Sequence, residues 1–133
     1  MTKYADSFRY SKTFTDTAGE TVYSEWFDVS WANLLYSYIT LSATETYNSE
    51  TVDVTVQRYL PYVTPSVGTV LAHGQLTADE TGAEIYMRAS YDGGAPAADN
   101  KIGMRVRWKI QTGGTFRSGQ DLTVTLTMYA KRV

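Results

Sequence analysis

His73, in Leu-Ala-His-Gly, is the only imidazole of the chain, and a lone imidazole could act as a general base. That chemistry needs a nucleophile to serve, and no Gly-x-Ser-x-Gly element or other nucleophile motif accompanies it. A strand-end histidine, hydrogen-bonded or solvated, accounts for the residue. One His and no Cys also exclude multi-histidine and thiolate metal sites, iron–sulfur clusters and cysteine nucleophiles. Paired carboxylates could support glycoside hydrolysis. The candidate pairs, Asp79/Glu80 and Glu45/Glu50, fall in turn-like segments where acids serve solvation. Gly93-Gly94 and Gly113-Gly114 could cradle a phosphate only ahead of a helix N-terminus, and each connects strands instead. Asp92, Asp99 and Asn100 are too sparse for a calcium loop. The expectation is a protein that is not an enzyme and holds neither cofactor nor metal.

Two other groups of side chains suit binding rather than catalysis. Arg105, Arg107 and Lys109 alternate with Val106 and Trp108, so a strand would aim all three cations at one face. Such a ladder must meet carboxylates, either Asp53 or Glu84 within the fold or an acidic patch on a partner. Its surroundings sharpen the point. Residues 101–133 carry seven basic residues against Asp121 alone, whereas the first hundred carry five basic and 13 acidic residues. Tyrosine is the second group. Tyr36, Tyr38, Tyr47, Tyr59, Tyr62 and Tyr91 could stack on sugars, although tyrosine serves equally well in sheet packing and protein interfaces.

Strands must position these residues. From Lys101 to Gln111, Ile102, Met104, Val106, Trp108 and Ile110 share one parity, with Gly103, Arg105, Arg107, Lys109 and Gln111 on the other. From Asp121 to Lys131, Leu122, Val124, Leu126, Met128 and Ala130 alternate with Thr123, Thr125, Thr127, Tyr129 and Lys131. A two-residue period over ten residues means a strand with one dry face and one wet face. Weaker alternation marks Phe8–Phe14, Val22–Val29, residues 35–43, Thr51–Leu60, Thr69–Leu76 (interrupted by Gly74) and Glu84–Ser90. Pro61 and Pro65 exclude a central strand between Leu60 and Gly68. About eight strands with turn-forming loops predict an all-β fold, a single antiparallel β-sandwich over residues 1–133 with jelly-roll-like or related topology. An immunoglobulin-type sandwich lacks its Cys–Trp–Cys pattern here. Trp108, Val106, Val124, Leu126, Val52, Val54 and Ile39 are the predicted core.

Composition agrees. The chain has 133 residues, enough for one domain that folds without disulfide or metal. Its 19 Thr and 11 Tyr favour sheets. A net charge of −2 argues against nucleic acid as a partner. No stretch approaches a membrane helix, and the opening MTKYADSFRY has no apolar signal region.

The order of certain segments resembles small β-sandwich structural proteins of tailed bacteriophages, the capsid decoration and head-accessory proteins. The likeness begins with Gly19-Glu-Thr-Val-Tyr-Ser-Glu-Trp-Phe-Asp-Val-Ser30, a Gly turn followed by a Ser-x-Trp-hydrophobic-Asp-Val strand. It continues through Ser49-Glu-Thr-Val-Asp-Val-Thr-Val-Gln57, Met104-Arg-Val-Arg-Trp-Lys-Ile110, a Gly-Gly-Thr loop and Leu122–Lys131. After the Gln strand the family commonly carries a Ser-Gly or Asp-Gly turn. Arg58-Tyr-Leu-Pro-Tyr62 stands there instead, so no loop role is carried over.

The resemblance implies a virion protein on the capsid or head surface. Its expected partners are the major capsid protein or a neighbouring virion protein, and it is expected to be a homo-oligomer, a trimer first, with no nucleic acid and no membrane. Expected docking residues are Arg105, Arg107 and Lys109, with Tyr62, Val63, Val67 and Tyr91 from the loops at 61–68 and 91–100. The alternative is a glycan- or host-surface-binding module of a tail or fibre.

Overall fold

Alternation in the sequence becomes pleat in the molecule. The strands are β1 (Ala5–Thr15), β2 (Thr21–Tyr23), β3 (Phe27–Asp28), β4 (Leu34–Ala43), β5 (Thr51–Tyr59), β6 (Val67–Leu76), β7 (Glu80–Arg88), β8 (Arg105–Gly113) and β9 (Asp121–Lys131). They belong to a computed structural model that describes residues 5–15, 19–61, 64–88, 105–116 and 118–132. Among the described residues there is no helix.

Two antiparallel sheets face each other, ordered β1-β9-β4-β7 and β2-β8-β5-β6, with β3 also paired to β8. Because β2 and β3 lie in succession along β8, they count as one interrupted strand, which makes eight. The first strand then pairs with the last, the second with the seventh, the third with the sixth and the fourth with the fifth. This is one long antiparallel ribbon. The contacts β4–β9 and β5–β8 roll it into a jelly roll.

The predicted strand Val22–Val29 is split, and Ser24 shows why. Its N–H donates to the Trp108 carbonyl at 3.0 Å, while its hydroxyl oxygen accepts the Trp108 N–H at 2.9 Å. A side-chain oxygen therefore stands in for a ladder carbonyl, and regular pairing resumes only at Phe27. Two further edge strands are irregular as well. In β7 the pairing skips Gly82, whose φ is +70°, and in β6 it skips His73, next to Gly74 at φ +81°. Such bulges re-aim side chains and blunt an edge against further pairing. The edge strand β1 pairs regularly over its whole length.

All seven predicted core residues are fully buried. The Trp108 ring meets Phe27 edge-on at 5.6 Å, and Phe27 stacks on Phe8 at 4.5 Å. Glycine is required at Gly114, where φ is +75° and a Cβ would lie 1.8 Å from the Ser49 carbonyl oxygen.

One buried residue breaks the apolar pattern. Inward parity in β5 runs Val52, Val54, Val56 and then Arg58, which is only 7% exposed. Its Nε and Nη1 have no hydrogen-bond partner, and Gly68 across the ladder leaves room for the guanidinium. An uncompensated buried cation destabilises a fold, and well-packed apolar replacements of buried charge often stabilise by about 1–4 kcal/mol. Arg58→Met is therefore expected to raise the unfolding free energy by about that amount in urea titration. A lower value would mean that the guanidinium is paired in solution.

Candidate partner-docking face

The outer face of the β2-β8-β5-β6 sheet carries the predicted cation ladder. With Val106, Trp108 and Ile110 buried, pleating sends Arg105, Arg107 and Lys109 outward, as expected. Their surroundings differ from expectation. Glu84 belongs to β7 in the opposite sheet, so it cannot serve this ladder. Asp53 is in β5, two residues from Thr55, the direct partner of Lys109. Together with Thr55, Thr69 and Gln111, Asp53 and Lys109 line a shallow hollow of about 110 Å³.

Aromatic rings flank both arginines, and Asp28 of β3 stands directly opposite Arg105 in the ladder. The Arg107 guanidinium lies 4.1 Å from the Tyr23 ring centre and 4.3 Å from that of Trp26, and its Nε donates to Gln57 Oε1 at 3.0 Å. Arg105 sits 4.8 Å from the Tyr59 ring, which meets Trp26 edge-on at 6.2 Å. Each cation–π contact contributes about 0.5–2 kcal/mol according to its exposure. The two rings and the amide fix Arg107 in one orientation. An arginine held this way loses little rotamer freedom when it meets a carboxylate, which its planar fork can bind at two oxygens.

Sequence parity places Gln57 and Tyr59 outward, but it does not say that β5 and β2/β3 flank β8. For that reason the clamp formed by Tyr23, Trp26, Gln57 and Tyr59 was not foreseen. Of the expected loop contacts, Val67 is half-buried at the start of β6, opposite Tyr59. Tyr62, Val63 and Tyr91 lie outside the described residues.

Asp79 and Glu50, one from each candidate carboxylate pair, have structural partners. Asp79 Oδ1 accepts the Ala43 N–H at 3.0 Å and the Tyr47 hydroxyl at 2.8 Å, and burial together with this bond raises the Tyr47 pKa. Glu50 corrects the expectation of a solvated turn acid, because it is 1% exposed and accepts the Asn48 N–H.

Of the two readings of His73, the hydrogen-bonded one holds, at a bulge within β6 rather than at a strand end. The bulge turns it toward Ser37, whose hydroxyl lies 2.8 Å from Nε2 and accepts the Trp108 indole N–H at 2.9 Å. That chain joins the two sheets through the core. Burial lowers the His73 pKa from 6.5 to about 4. The folded state then binds fewer protons than the unfolded state between these values, so stability is complete above pH 6.5 and falls as the pH drops toward 4. The expected loss is on the order of 2 kcal/mol for a partly wetted ring. Urea titrations from pH 7 to pH 4 should show this slope in the wild type beyond that of His73→Gln, and equal slopes would refute the linkage.

The opposite sheet presents a tyrosine surface. Tyr36 and Tyr38 lie 6.5 Å apart and 23° from parallel, with Tyr129 edge-on to Tyr38 at 5.5 Å and Tyr86 5.9 Å from Tyr36. Tyr86 and Tyr129, neither singled out in the sequence, are 65% and 42% exposed. Tyr36, Tyr38, Tyr129, Glu84, Thr127 and Lys131 line an open hollow of about 680 Å³. Desolvation first, then the charge and hydrogen bond of Glu84, raise the Tyr38 pKa.

No protein-family model and no curated protein matches the chain. Similar solved structures come from virus particles. The T13 particle of infectious bursal disease virus aligns at 14% identity and TM-score 0.44, covering 99% of this chain and 36% of that one. VP2 of that virus's subviral particle aligns at 11% identity and TM-score 0.44, covering 98% and 37%. Desmodium yellow mottle tymovirus aligns at 12% identity and TM-score 0.33, covering 96% and 87%. The chain thus spans about a third of the length of the infectious bursal disease virus chains it matches.

Proposed function

We propose that the protein is a non-enzymatic virion structural protein, a capsid decoration or head-accessory component that docks on an acidic patch of a capsid subunit or neighbouring virion protein. The observation that carries this reading is the clamped Arg107 beside Arg105, two oriented guanidinium groups on a rigid sheet, held by rings and an amide. A carboxylate-bearing surface would complete their hydrogen bonding, and like charge would exclude wrong partners. The ordered sequence segments shared with phage structural proteins support the virion setting. Jelly rolls also occur in viral capsids.

Self-association belongs to the same reading. The regularly paired edge strand β1 is the strand best suited to extend the sheet into a second copy, and a trimer is the first expectation. The experiment is rebinding to purified particles that lack the protein. Wild-type protein should cosediment with them, and its affinity should fall as salt screens the contact. Failure to bind at low salt would overturn the proposal.

A further inference from the structure

We infer that the tyrosine hollow on the β1-β9-β4-β7 sheet is a binding site for a neutral oligosaccharide. It lies on the face opposite the cation ladder, so this inference does not rest on capsid docking. Rigid strands hold Tyr36, Tyr38 and Tyr129, so the rings need little ordering when a ligand arrives. Pyranose rings carry apolar C–H faces that pack on aromatic rings, while their hydroxyls project toward the sides.

The sides of this hollow are polar and mixed in character. Glu84 only accepts hydrogen bonds when ionised, Lys131 only donates, and Thr127 and the phenols do both. A neutral polyol offers donors and acceptors together and satisfies all of them. Glu84 and Lys131 offset each other, so the rim gives neither an anionic nor a cationic ligand a net attraction. Size favours the same class. The hollow, about 680 Å³, falls within the ~300–1,000 Å³ typical of small-ligand sites.

The test uses the intact chain, an immobilised glycan panel, and maltose, cellobiose and lactose at millimolar concentration followed by NMR shift perturbation. At least one sugar should bind, with shifts centred on Tyr38, Thr127 and Tyr129. Tyr38→Ala/Tyr129→Ala should weaken that binding by about tenfold or more. Thr13→Ala, at the far end of the same face, should leave it unchanged. Tyr38→Phe/Tyr129→Phe keeps the rings and guards against a folding defect, and it should retain most of the binding. Absence of binding by every sugar, or binding that survives the double alanine substitution, would overturn the inference. A change of oligomeric state in the alanine variant without loss of a sugar would assign the face to a second copy instead.

Discussion

Trp108→Ala should lower the unfolding free energy by about 3–5 kcal/mol, the range for deleting a large buried aromatic side chain. Trp108 is fully buried, packs edge-on against Phe27, and donates its indole N–H to Ser37 across the two sheets. Alanine would leave a cavity between the sheets and remove the donor that Ser37 now meets. Trp108→Phe separates the two effects. It restores most of the packing but not the hydrogen bond, so about 1–2 kcal/mol of loss should remain. Chemical denaturation of the three proteins measures both quantities. An alanine variant as stable as the wild type would contradict the inward orientation of β8.

The orientation of β8 and β9 was legible because alternation is unbroken over Lys101–Gln111 and Asp121–Lys131, and a one-residue slip would move every apolar side chain into water. The interrupted second strand was not legible. Its break depends on Ser24 reaching the Trp108 backbone, a contact 84 residues away in sequence. Arg58 continues the inward parity of Val52, Val54 and Val56, and its burial was not read from the sequence. The site was half readable. Parity placed Arg105, Arg107 and Lys109 on one outer face, yet their partners depended on strand order, which alternation does not encode. Glu84 was therefore a plausible partner in sequence and lies on the wrong sheet in space. His73 needed its bulge to reach Ser37, and a glycine following a histidine does not specify the direction of that turn.

The second large effect concerns the docking face. Arg105→Glu/Arg107→Glu replaces both oriented cations with charges that an acidic partner repels, while the core beneath, Val106 and Trp108, stays unchanged. Lost cation–π contacts should cost the fold only a modest fraction of its stability. Removing charge-assisted bonds at an interface costs about 2–5 kcal/mol, so affinity for particles should fall by about 100-fold. Lysine at both positions keeps the charge but loses the planar fork, and that variant should fall between the two. The decisive measurement is particle cosedimentation of wild type and the double glutamate variant across a salt series. Wild-type binding should weaken with salt, and the folded variant should stay in the supernatant throughout. Equal binding of both proteins, with the same salt dependence, would contradict docking through these cations.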